Sequence, residues 1–279
     1  MVAALALLSS LLWGAVDFLG GTVSRRLPAV AVVGSSQAVG LVTAVAVALA
    51  AGALSAPAGY LPWAVLAGLA GVSGLVAFYA ALAVGTMGVV SPIAALGVVV
   101  PVAVALLRGE SPSLPQLLGA AVAIGGVVLA SGPELSGRAG VRPLLLAAGS
   151  AVGFGVALLA IAEGSRTSTL MTLVGMRATS VTVLALAAVL ARTLGGLRAS
   201  DLPVVAVVGV GDLTANLAFG LAATSGLVSV VAVLGSLYPV VTVLLARLVH
   251  GERLEVVQRV GVSVALGGVV LIAAAGGAG

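Results

Sequence analysis

Three ionisable side chains, Asp17, Arg177 and Asp212, fall inside long apolar stretches of the chain. An ionisable group at the middle of a membrane span costs about 2.5–3.5 kcal/mol on insertion scales, so each needs a partner or a use. On a 3.6-residue wheel Asp17 shares a face with Ser10, Trp13, Gly14, Gly20, Gly21 and Ser24. That stripe is small and polar, with one large aromatic. A carboxyl held there away from bulk water takes a proton near neutral pH and releases it when water returns. This is the property a proton-coupled carrier needs. The competing reading is a buried aspartate paired permanently with an arginine or capping backbone groups.

Asp212 and Asn216 lie one helical turn apart, with Gly209 and Gly220 on the same face, so a carboxyl and an amide point to one cavity. Arg177 sits about ten residues into its span, near mid-membrane at 1.5 Å per residue. It either binds an anionic group of a solute or holds Asp17 or Asp212 in an ion pair, and the pair is the favoured reading. Asp17 and Asp212 are the candidates for proton coupling. Trp13, Tyr79, Asn216 and Tyr238 are the candidate cavity lining.

Other chemistries lack their residues. The chain has no cysteine and one histidine, His250, which removes thiolate and multi-histidine metal sites. All twelve basic residues are arginine, so the lysine of a phosphate-binding P-loop does not exist. Gly209-Val210-Gly211 starts a glycine-rich pattern but lacks its third glycine and lies in an apolar run. ATP-driven transport by this chain alone is excluded, and no metal or cofactor is expected.

The elements that position these residues follow from composition. The 279 residues are 61% hydrophobic and 7% charged, with a mean hydropathy of +1.32. Soluble domains carry about a quarter charged residues, so the expected surroundings are lipid. The net charge of +4 and sequence pI near 10.7 come from arginines set singly or in pairs between apolar runs. That is a topology signal and not a nucleic-acid patch. No charged side chain precedes Asp17, so the first apolar run reads as a retained span rather than a secretory signal. Runs close to the ~20 residues needed to cross a bilayer occupy 2–22, 29–51, 62–84, 88–107, 114–131, 142–162, 168–191, 202–223, 227–248 and 256–275.

The chain also repeats itself. Leu96-Gly97 and Pro101 match Leu234-Gly235 and Pro239, each 138 residues apart. Gly109-Glu110, Gln116, Gly119 and Gly125 to Leu129 match Gly251-Glu252, Gln258, Gly261 and Gly267 to Leu271, each 142 apart. Residues 1–132 and 142–279 therefore read as two five-helix repeats joined by a linker at 133–141. An odd number of crossings per repeat forces the second copy to enter from the opposite face, so the halves are inverted. Pro101 and Pro239 should kink their spans. Glu110 and Glu252 each sit just ahead of a helix start, where a carboxylate complements the positive dipole end. These four are read as structural repeat motifs. Nine arginines follow odd-numbered spans and two, Arg108 and Arg166, follow even ones, which places both termini outside the cytoplasm by the positive-inside rule.

Trp13-Gly14 in the first span, the Tyr79-Ala80-Ala81-Leu82 run, Pro101 and Pro239, and the Gly-Glu ahead of each half's last helix together resemble the EamA repeats of the drug/metabolite transporter superfamily. The resemblance covers essentially the whole chain, as two copies. Arg177 matches the arginine such members place in the second helix of a repeat, while the first half has Gln37 near that position. A second departure is Gly153-Phe154-Gly155, which stands where the second half would carry its own Trp-Gly. The resemblance implies a secondary carrier in a bacterial inner membrane, often an exporter of amino acids, metabolites or drugs, with cytoplasmic termini. The expected fold is an all-α integral membrane protein of ten transmembrane helices. The expected partners are a small-molecule solute, protons and lipid. A proton-independent facilitator or exchanger is the main alternative, ahead of a membrane enzyme or lipid-handling subunit.

Overall fold

The computed structural model describes residues 1–130, 141–192, 196–250 and 256–276. Among them the chain is helical, without a β-strand. The helices are α1 (Val2–Ser24), α2 (Ala29–Ala50), α3 (Leu61–Val84), α4 (Met87–Ala95), α5 (Val99–Leu107), α6 (Leu114–Ala130), α7 (Val141–Ala191), α8 (Leu202–Ser225), α9 (Val228–Gly235), α10 (Tyr238–His250) and α11 (Val256–Gly276). Seven segments of the described residues are long and apolar enough to cross a membrane, and α6 and α11 contain shorter apolar stretches.

The sequence breaks expected near Pro101 and Pro239 are present, each just ahead of its proline. A 3₁₀ turn over Leu96–Val98 separates α4 from α5, and α9 ends at Gly235, four residues before Pro239. Proline lacks the N–H that would bond the carbonyl four residues back, and its ring crowds that carbonyl. Those carbonyls belong to Gly97 and Gly235. Ser236 N–H instead bonds Ala232 O at 2.9 Å, and Pro239 falls in the first turn of α10, where no N–H is needed.

Residues 163–167, read as a connection between two spans, remain helical. α7 runs on to Thr167 and turns only at Ser168, whose backbone is extended (φ −164°, ψ 113°). The Ser168 hydroxyl accepts the Met171 N–H at 3.3 Å, the pattern of a serine N-cap for the following arm. The chain doubles back there, since a β-carbon on Gly164 would fall 2.6 Å from the Thr172 side chain. α3 packs along both arms. A β-carbon on Gly68 would lie 2.7 Å from Met176 O, and one on Gly74 would lie 3.0 Å from the Phe154 ring.

The repeated glycines have a similar use at the far edge, where α6 packs on α11. A β-carbon on Gly126 would collide with the Ala265 backbone, and one on Gly268 with the Ala123 backbone. Lipid offers no hydrophobic drive between helices, so association rests on this close backbone approach. Gly126→Ala or Gly268→Ala is therefore expected to cost about 1–3 kcal/mol by overpacking. Thermal unfolding in detergent reads this out, with Gly125→Ala as the control, because nothing lies within 4 Å of a β-carbon there.

Glu110 also corrects its expected place. It caps a helix, but not the one that follows it. Its carboxylate accepts Val228 N–H (2.9 Å), Ser229 N–H (3.0 Å) and the Ser229 hydroxyl (2.7 Å), so it caps α9 across the sequence repeat. Nearby, Arg108 pairs with Glu163, and Arg166 reaches the same carboxylate at 3.7 Å. Glu110→Ala removes three acceptor contacts at once. The expected cost is about 1–2 kcal/mol, with faster amide exchange over 228–231 than over α8. Glu252 and most of the linker at 133–141 lie outside the described residues.

Candidate functional site

Near the centre of the bundle α1, α2, α3, α4, both arms of α7, α8 and the α9–α10 break surround a cavity. Its wall is mostly apolar, with Leu75, Val98, Phe154, Leu158, Ile161 and Met176 among the lining. The two proline-linked breaks open onto it through Ala95 and Val98 on one side and Gly235 and Ser236 on the other. The three mid-span ionisable residues all line this one space.

Two of them are joined. Arg177 Nη1 lies 2.8 Å from Asp212 Oδ2, and the guanidinium is 1% exposed. The Asp212 carboxylate is also surrounded by side-chain N–H donors. Trp13 Nε1 donates to Oδ1 at 3.2 Å, Asn216 Nδ2 to Oδ1 at 3.0 Å and Gln37 Nε2 to Oδ2 at 3.3 Å. Arg177 donates in turn to Gln37 Oε1. Gln37 and Arg177 are 140 residues apart and near-equivalent in the sequence repeat, so related positions of the two halves meet here. The network ties α1, α2, the second arm of α7 and α8 into one hub.

Close packing fixes the hub. A β-carbon on Gly40 would lie 3.3 Å from Arg177 Nε, and one on Gly209 would collide with Ser36 O. Arg177 Nε and Nη2 are enclosed without a hydrogen-bond partner. Such a guanidinium cannot shed its proton, and among the described residues its ion-pair partner is Asp212, through Nη1.

Asp17 is different. It lies one turn below Trp13 on α1, lines the cavity and is 6% exposed. No hydrogen bond or ion pair joins it to the described residues. The expected pair between Arg177 and an aspartate thus falls on Asp212, and Asp17 is left as the cavity carboxyl without a partner among the described residues.

Of the expected lining, Trp13, Asn216 and Tyr238 are in place. Tyr79 is not. Its ring packs against Gly20, and its hydroxyl donates to Val16 O at 3.4 Å, so it braces α1 from behind the cavity. Gln37 and Phe154 line the cavity but were not assigned to it from the sequence. Gln37 carried a usable signal, a mid-span amide at the repeat position of Arg177.

The profile of the EamA-like transporter family matches residues 1–132 and 141–274. A solved crystal structure superposes on 97% of this chain and 95% of its own, with TM-score 0.77 and 21% identity, a likeness that shows the fold alone. No curated protein matches by sequence. Members of the matched family are transporters rather than enzymes. The chain belongs to the EamA-like transporter family of the drug/metabolite transporter superfamily and is an integral, multi-pass membrane protein.

Proposed function

We propose that the chain is a proton-coupled secondary transporter working by alternating access on a small organic solute, a metabolite, amino acid or drug. One observation carries the reading: a lone carboxyl, Asp17, shares a central cavity with a charge-compensated Asp212–Arg177 hub. An unpaired charge sealed in a dry interior costs several kcal/mol. Closure of the cavity is therefore favourable only when Asp17 is neutralised, by a proton or by bound solute. Two ligands that compete for one carboxyl are exchanged across the membrane, which is coupling. Asp212 supports this by holding the hub, and its protonation is a second, weaker candidate because four N–H donors already satisfy it.

The proposed architecture is ten crossings in two inverted five-helix repeats. Seven apolar segments include the doubled α7, and α6 and α11 supply the remaining two. The helix breaks at Gly97 and Gly235 open onto the site from the two repeats, as in carriers whose solute sits at the repeat interface. Export, across a bacterial inner membrane, is the direction the family resemblance favours.

The test is flux in purified vesicles. A panel of amines, amino acids and organic acids is offered with and without an imposed pH gradient. An accumulation that collapses when the gradient is dissipated is the expected result. Flux of the same rate in both conditions would select a facilitator or exchanger instead.

A further inference from the structure

From the charges facing the cavity we infer that its solute is a monovalent organic cation, an amine or quaternary ammonium with an apolar body. This rests on the cavity being the transport site. Titratable and charged groups surround Asp17 on four elements. They are Asp212 on α8, Arg177 on α7, Tyr238 on α10 and, behind the wall, Tyr79 on α3. Arg177 and Asp212 cancel each other at 2.8 Å. One negative charge is left when Asp17 is ionised.

Among the described residues that line the cavity, none offers a free cation to an anionic solute. Arg177 borders the cavity, but its Nη1 is taken by Asp212 and Gln37, and its Nε and Nη2 are enclosed. A carboxylate would have to break the hub to reach them and would leave Asp212 unpaired. A cation has both an unpartnered carboxylate and aromatic rings to meet. Trp13, one turn from Asp17, and Tyr238 line the same space, and ring faces attract ammonium groups. The apolar wall of Leu75, Phe154, Leu158 and Ile161 then takes the hydrocarbon body.

The test uses four phenylalkyl compounds with three charge patterns: phenethylammonium, phenethyltrimethylammonium, phenylalanine and 3-phenylpropionate. Binding to the full chain in lipid nanodiscs is measured by calorimetry between pH 6 and pH 8. Both cations should bind at least about tenfold tighter than the zwitterion and the anion, and tighten as the pH rises. Asp17→Asn should weaken cation binding by about tenfold or more, while Asp17→Glu, which keeps the charge, restores it. Monodisperse elution of each variant establishes that it is folded. Phenylalanine or phenylpropionate binding as tightly as the amines would overturn the inference, as would no cation binding at millimolar concentration. Cation binding that depends on Asp17, without any gradient-driven flux, keeps the cation site and sinks the coupled-carrier reading. Gradient-driven flux of an acid or amino acid, without cation binding, does the reverse.

Discussion

Asp212→Asn is expected to lower stability by about 3–5 kcal/mol, the usual cost of leaving a buried charge without its partner. Arg177→Met should cost clearly less. The two differ in what the survivor can do. Arginine stays protonated under all ordinary conditions, and Arg177 already has two enclosed N–H groups with no acceptor. Removing the carboxylate charge strands it. An Asp212 left without Arg177 keeps Trp13, Asn216 and Gln37 as donors. The double variant Arg177→Met with Asp212→Asn should recover more than half of the larger loss, since it removes both charges. Thermal unfolding of the three proteins in one detergent checks the order. Equal losses in both single variants would mean that the hub is not organised around Arg177.

Asp17→Asn should do the opposite to the protein. With no partner among the described residues, the Asp17 carboxyl adds nothing to the fold that an amide would remove. Its stability is expected to stay within about 1 kcal/mol of the parent, or to rise. The functional effect should nonetheless be complete, because the unpaired carboxyl facing the cavity is gone. A residue that costs nothing to replace and everything in function is the signature that separates a working carboxyl from a structural one. Asp212 and Asp17 look alike in sequence, each a lone acid in a glycine-rich apolar helix, and this pair of experiments distinguishes them.

The sequence was most legible where one physical rule acts locally. Apolar run length placed the helix ends within about two residues for α1, α2, α3 and α6. The repeated prolines announced the two breaks, because a missing N–H acts within one turn. Residues 163–167 misled through their polarity. Ser165, Arg166 and Thr167 look like a loop, yet a helix satisfies its own backbone and carries them to the single reversal at Ser168. What depends on long-range contact was not legible. Glu110 recurs in the sequence, but nothing local says that it caps a helix 118 residues away. Tyr79 and Tyr238 send the same signal, and only the small Gly20 opposite Tyr79 draws that ring out of the cavity. Gln37 stands out less in the sequence as a lining residue, because a neutral amide costs less to bury than a charge. Its repeat relationship to Arg177 was visible; that the two would bond to each other was not.

The most direct measurement compares parent and Asp17→Asn proteins in vesicles, with the solute that the parent carries. Two modes are read on the same preparation: accumulation driven by a pH gradient, and exchange of labelled for unlabelled solute with no gradient. The parent should accumulate solute under the gradient, and Asp17→Asn, folded and inserted, should show no response to it at any pH. Asp17→Asn that accumulates solute with the parent's pH dependence would contradict this coupling, because the proton would then be carried somewhere other than Asp17.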